Sequence, residues 1–251
     1  MRFLPKILVI LFVCLSIQTA KAEWSKQDSK TFAWLRSIHF FDENTGWIGG
    51  SNGTFLTTKD GGENWEKTEK FTDDTILNIY FKDKNIGWLL CERDIFSLGT
   101  KSPSYLMKTN DGGENWERIE FKNEQRRRIT NLFFADSGFG LAIGEMGILY
   151  GLGDDNQTWK QMSSPSSYLM LDGVFTDNLH GTMVGGGGTI LFTEDAGASW
   201  DAALVADNSR KKLNSVFFIN KKNGWTVGSQ GKIYQTINGG RYWRLQRTNS
   251  T

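Results

Sequence analysis

The sequence predicts an all-β chain folded as a β-propeller of about five four-stranded blades, and three observations carry that reading. A corner motif, Thr58-Lys-Asp60-Gly-Gly62-Glu-Asn-Trp65, is written three times in full and twice in degraded form. Apolar stretches carrying Phe40, Phe81, Phe134, Phe175 and Phe218 are each followed, six residues on, by Gly46, Gly87, Gly140, Gly181 and Gly224. Those glycines stand 41, 53, 41 and 43 residues apart, a spacing that suits four short strands per unit. Six or seven blades are compatible with the same repeat.

The corner motif has a physical logic. A polar residue leaves a strand, Asp accepts from backbone N–H groups of the turn, and Gly takes the positive-φ position. Trp then opens the return strand and buries a large ring. The other full copies place Asp111, Gly113 and Trp116, and Asp195, Gly197 and Trp200. A fourth copy has Asn238 in place of Asp, followed by Gly240 and Trp243. The fifth, around Asp155 and Trp159, is one residue short. Each is expected to be a hairpin corner and not a reaction centre.

Residues 1–22 begin with Arg2 and Lys6, run apolar from Ile7 to Ile17 and close with Ala20-Lys-Ala22. That order describes a cleaved secretory signal, with an apolar run too short to span a bilayer comfortably. Residues 23–251 are then one propeller domain, exported to a periplasm or secreted. The chain has 29 basic residues; without Arg2, Lys6 and Lys21, 26 basic residues face 28 acidic ones. Such a balance argues against nucleic acid or an anionic membrane surface as partner. Cys91 is the one mature cysteine, so no internal disulfide is expected, and its apolar neighbours predict a buried thiol.

Taken in order, Glu23-Trp24-Ser resembles the strand after a corner whose corner is missing. With Trp243 already supplying a fourth strand to the last blade, the Trp24 strand has no obvious vacancy. Pairing along the edge of the last blade, further blades, or closure through a second chain all stay open. Within each blade a small or polar residue stands three positions before the Phe: Ser37, Asn78, Asn131, Asp172 and Ser215. If first strands line the channel, these five form a ring facing it.

In a four-stranded blade the second-to-third turns share a face with the linkers between blades, and the corner motifs fall opposite. The one large irregularity is an insertion between Cys91 and Thr109. It shares its face with Arg126, Arg127 and Arg128 of the linker into blade three. Arg93 lies in the insertion, and Arg36, Lys211 and Lys212 occupy comparable places in the linkers into blades one and five, a set suited to carboxylate-rich or phosphate-bearing partners. Asp73 and Asp74 make the face mixed. A rival site pairs Glu92 with Glu145, each five residues after a second-strand Gly, as glycoside hydrolysis requires two carboxyl groups. A glycan-binding reading would use Phe96 and Tyr105. His39 and His180 lack metal-ligand spacing, so neither metal nor cofactor is expected.

The corner motif resembles the Asp-box, or bacterial neuraminidase repeat. Sialidases share it, but their arginine triad opens with Phe/Tyr-Arg-Ile-Pro, and Trp34-Leu-Arg36-Ser-Ile lacks the Pro. The closer resemblance is to the photosystem II stability and assembly factor family. Its unit, Ser-Ile-x-Phe-x-Asp-x-x-x-Gly-Trp…Thr-x-Asp-Gly-Gly-x-x-Trp, is matched at Ser37–Trp65 and, with changes, at Asn78–Trp116 and Ser215–Trp243. The resemblance implies an exported, non-enzymatic, seven-bladed scaffold that binds membrane-protein assembly intermediates through an arginine patch. In a photosynthetic host the compartment would be the thylakoid lumen. Five recognisable blades depart from that pattern.

Overall fold

The structure is a computed structural model that describes residues 26–94, 96, 99, 101–122, 126–207 and 209–247. The signal segment and the Trp24 strand lie outside the described residues. Among the described residues, four four-stranded antiparallel sheets and a fifth that gains one further, parallel strand follow one another along the chain.

Blade one holds β1 (Leu35–Phe40), β2 (Gly46–Gly50), β3 (Phe55–Thr58) and β4 (Glu66–Lys67). Blade two holds β5 (Thr75–Phe81), β6 (Gly87–Glu92), β7 (Ser104–Thr109) and β8 (Glu117–Glu120). Blade three holds β9 (Ile129–Phe134), β10 (Gly140–Gly144), β11 (Leu149–Leu152) and β12 (Trp159–Gln161). Blade four holds β13 (Met170–Phe175), β14 (Gly181–Gly185), β15 (Ile190–Thr193) and β16 (Asp201–Ala202). After β17 (Leu204–Val205), blade five holds β18 (Leu213–Phe218), β19 (Gly224–Gly228), β20 (Ile233–Thr236) and β21 (Tyr242–Leu245).

The Phe-to-Gly spacing has a steric cause. Each first-strand Phe lies against the second-strand glycine opposite it, and a Cβ on Gly140 would stand 2.3 Å from the Phe134 ring. A flat ring packs onto bare backbone there, and any side chain would lift it.

First strands carry a second regularity. In every blade the register slips by one residue beside the ring position, making Arg36, Leu77, Thr130, Leu171 and Asn214 bulge residues. The five ring residues are not simply wet. Ile79 N–H donates to Ser37 Oγ at 3.1 Å, Asn78 Nδ2 to Asn131 Oδ1 at 2.7 Å, and Asn131 Nδ2 to Asp172 Oδ1 at 2.8 Å. Ser215 Oγ and Val216 N–H then donate to Asp172 Oδ2 at 2.7 and 2.9 Å. The ring is a polar seam that stitches neighbouring blades together.

Apolar burial also sits between blades. Trp47 and Phe55 pack on Ile76, Ile79 and Phe81; Trp88 and Leu106 on Leu132 and Tyr150; Phe133 and Leu141 on Met183 and Trp200; Val184 and Ile190 on Val216 and Trp243. Trp47 stacks on Phe81 with centroids 3.6 Å apart and planes 3° from parallel. The cores thus lie between sheets, as aligned sheets with two apolar faces demand.

The edge of blade five is covered from within the chain. The linker strand β17 runs parallel to β21, pairing Leu204 with Tyr242 and Val205 with Trp243. That edge was one place expected for the Trp24 strand; the linker from blade four occupies it.

Candidate functional site

The corner motifs prove to be the same turn. Thr58 Oγ1 accepts from Gly62 N–H at 3.0 Å and donates to Asp60 Oδ1 at 2.7 Å, while Asn64 bonds both Asp60 oxygens at 2.9 and 2.8 Å. Asp111 and Asp195 repeat it with Asn115 and Ser199, and Asn238 accepts from Tyr242 N–H at 3.1 Å. The short copy differs: Asp155 Oδ1 accepts from Gln157 and Thr158 N–H at 2.9 and 2.8 Å. The Asn64 backbone bond, followed by its side-chain amide, holds the Asp60 carboxyl at about 2. The same arrangement at Asn115 holds Asp111 there, and the Ser199 hydroxyl does so for Asp195. These carboxylates are committed acceptors.

The corner motifs also bond to the first-to-second turns, with Gly61 N–H donating to Asn44 O and Gly112 N–H to Asn85 O. The opposite, upper face is built from linkers and second-to-third turns. Ser51 N–H donates to Trp34 O, Glu145 N–H to Arg128 O, Gly186 N–H to Leu169 O and Ser229 N–H to Lys212 O. Four of these turns share a left-handed middle residue, Asn52, Met146, Gly187 and Gln230, followed by a positive-φ glycine. Gly53 is required absolutely, since a Cβ there would stand 1.7 Å from Thr72 O. Blade two replaces this turn with the insertion.

The basic residues separate into those spent inside the fold and those turned outward. Arg93 is buried, pairs with Glu120, bonds Ser102 O and lies 4.4 Å over the Tyr105 ring. Arg118 covers the same ring at 4.1 Å. Tyr105 is fully buried, its hydroxyl within 2.8 Å of Thr72 Oγ1 and 2.9 Å of Asp74 Oδ2. Two expectations are therefore corrected: Arg93 anchors the insertion and does not present its guanidinium, and Tyr105 is not an exposed aromatic. Phe96 is exposed. The Arg–Tyr–Arg stack was not visible in sequence, because its members come from three strands or their ends.

Arg126, at φ 53°, bonds Gly99 O at 2.6 Å and Lys101 O at 3.2 Å, tying the linker to the insertion. Arg127 beside it is half-buried. Arg128 is the centre of the site. Its Nη1 donates to Glu92 Oε1 at 3.1 Å, its Nε stands 3.4 Å from Glu145 Oε1, and its N–H donates to Glu145 Oε2 at 3.0 Å. Glu92 and Glu145 are thus brought together, but around a guanidinium. Arg36 is exposed, 5.5 Å over the Trp34 ring, and Lys212 is exposed at the other end of the chain of blades. Lys211 is half-covered. In the blade order Arg36 belongs to blade one and Lys211 precedes blade five, apart from Arg126–Arg128 between blades two and three.

Comparison with known proteins places this architecture. The family model described as Photosynthesis system II assembly factor YCF48 matches residues 16–160 and 152–250. A photosystem II assembly lipoprotein Ycf48 from Synechococcus sp. (strain CC9902) is 34% identical over 87 residues, 34% of this chain and 26% of that protein. Photosystem II assembly protein Ycf48 of Synechococcus sp. (strain JA-3-3Ab) is 22% identical over 57% of this chain and 43% of its own length. The chain therefore spans less than half the length of these curated relatives. Among solved structures, YCF48 from Cyanidioschyzon merolae aligns at TM-score 0.55 and 20% identity, covering 92% of this chain and 90% of that one. A structure described as YCF48 bound to D1 peptide aligns at 0.51 and 19%, covering 85% and 80%. A GH74 enzyme of Niastella koreensis, at 0.61 and 13% over 81% and 36%, shares the fold. With its repeats, its polar ring and a family match running through all five blades, the chain belongs to the Ycf48 family of photosystem II assembly factors.

Proposed function

We propose that this chain is an exported, non-catalytic scaffold that docks a protein segment of a membrane-protein assembly intermediate on its upper face, across blades two and three. The observation that carries the reading is the pinned insertion. It is the one large break in the repeat, and Arg93, Arg126 and the Tyr105 stack hold its two ends against the scaffold. Loops held on a rigid framework are where such frameworks carry recognition. A relative solved with a D1 peptide supports a peptide segment as the ligand class. Relatives named as lipoprotein and chloroplastic assembly factors support an exported location, a periplasm or a thylakoid lumen according to host.

The glycosidase reading needs one carboxyl protonated and the other available to water or sugar. The Arg128 guanidinium stands between Glu92 and Glu145 and pairs with both, so the space between the two carboxyl groups is filled by a side chain, which argues against that chemistry. A pull-down from detergent-solubilised envelope tests the scaffold reading, comparing wild type with a chain whose residues 94–101 are replaced by a short Gly-containing turn. A defined membrane protein retained by the first and lost by the second supports it. Equal retention by both would move the docking face elsewhere.

A further inference from the structure

Blade five shows what the outer edge of a blade accepts. After Trp200 the chain reads Asp201-Ala-Ala-Leu204-Val205, and the last two residues form β17. Leu204 N–H donates to Arg241 O and Ala206 N–H to Trp243 O, both at 2.9 Å. Val205 packs on the apolar cluster of Val184, Tyr234 and Trp243. The linker leaving blade one starts in the same register: Thr68 N–H donates to Phe55 O at 3.1 Å, as Ala203 N–H does to Ile190 O at 2.9 Å. Counted from Trp65 and Trp200, Glu69 and Lys70 stand in the places of Leu204 and Val205. An ammonium in the Val205 place would lose its water against an apolar cluster, and this linker stands off the edge instead. Glu69 N–H and Phe71 N–H make no bond to Glu114 O or Trp116 O, the counterparts of Arg241 O and Trp243 O. A groove of about 920 Å³ opens there, with Trp47, Thr57, Thr68, Phe71, Gly113 and Glu114 in its walls.

We propose that this groove is a strand-addition site for an extended segment of a protein partner. The segment lies parallel to β8, donates backbone N–H groups to Glu114 O and Trp116 O, and turns one apolar side chain toward Trp47 and Phe71. The occupant is argued from the chain's own β17, which runs parallel to β21, makes those bonds and turns Val205 inward on blade five. Main-chain bonds to an open edge give such a site its affinity, and a pocket for one side chain gives it selectivity. The groove borders the corner motif of blade two, at the other end of the blade from the insertion. The segment it takes is therefore separate from one docked on the upper face.

The probe is a capped, fluorescently labelled peptide of β17 and its flanks, Asp-Ala-Ala-Leu-Val-Ala-Asp, titrated against the purified full chain by anisotropy. Saturable binding is expected. The same peptide N-methylated at its leucine and its last alanine is expected to bind about tenfold more weakly or worse, because two hydrogen bonds are lost. Thr57→Trp, whose ring fills the groove, is expected to lose binding while Cys91 stays as protected from maleimide as in wild type. A photoreactive group in place of the peptide's valine is expected to mark residues 57–71 or 113–118 on mass mapping. That readout locates the site even if Thr57→Trp fails to fold. No saturable binding, equal affinity for the N-methylated peptide, wild-type affinity in folded Thr57→Trp, or marking confined to other blades would each overturn the proposal.

Discussion

Arg128 Nη1 donates to Glu92 Oε1 at 3.1 Å, so the linker into blade three is fastened to the second strand of blade two. Both groups are partly open to solvent, and pairs of that kind contribute about 0.5–1 kcal/mol. Arg128→Ala is expected to lower stability by that order in urea unfolding, with the difference shrinking in high salt. A glycan hydrolysis screen is expected to be silent for wild type and for Glu145→Gln alike. Turnover lost in Glu145→Gln would reverse the assignment.

Acid should act on the corner motifs. The carboxyls of Asp60, Asp111 and Asp195 are held at about 2, below the ordinary 3.8. Groups with depressed folded values stabilise above the unfolded value, and that contribution is lost as pH falls through the folded one. Melting temperature is expected to change little from pH 7 to 5 and to fall between about pH 4 and 2. The triple Asp→Asn variant at 60, 111 and 195 should show a shallower acid limb, since an amide still accepts as Asn238 does.

This corner chemistry was legible in the sequence because it is local: Thr, Asp and Gly within five residues decide a turn. The five sheets of the described residues and the positions of the ring residues were legible for the same reason, through spacing, while the bonds that join the ring residues were not. The bulge beside each ring residue was not, since a register slip depends on which residue the neighbouring strand offers. Nor was the fate of the basic residues. Sequence order names Arg93 and Arg126–Arg128, but whether a guanidinium meets Glu120 or a loop carbonyl is decided by several strands at once. Trp24 and the signal segment lie outside the described residues.

Cys91 should report global unfolding. Burial pushes its thiol up to about 12, and no solvent reaches it. Maleimide labelling is expected to be negligible in native buffer and to track the urea transition measured by tryptophan fluorescence. Rapid labelling without unfolding would mean that blades one and two separate locally.

Close approach between blades makes two substitutions informative. A Cβ at residue 173 would stand 2.3 Å from the Phe133 ring, so Gly173→Ala is expected to cost about 1–3 kcal/mol by overpacking. Trp243 is fully buried, edge-on to Phe218, and Trp243→Ala should cost about 3–5 kcal/mol. Chemical denaturation of each purified variant reads both values. A neutral Gly173→Ala would mean that neighbouring sheets slide freely.

The insertion's anchor can be separated from its surface. Arg93→Met is expected to leave Glu120 without its partner and to speed proteolysis within residues 94–101, while the blades melt almost as before. Limited proteolysis with mass mapping checks this. Unchanged cleavage would mean that Arg93 does not hold the insertion.

The most direct test of the scaffold reading is site-specific photocrosslinking in the envelope of the source organism. One crosslinker is placed at Lys101 on the upper face and another at Lys59 in a corner motif on the lower face. A discrete membrane-protein adduct from Lys101 and none from Lys59 is the expected result. The same adduct from Lys59, with none from Lys101, would contradict the assignment of the docking face.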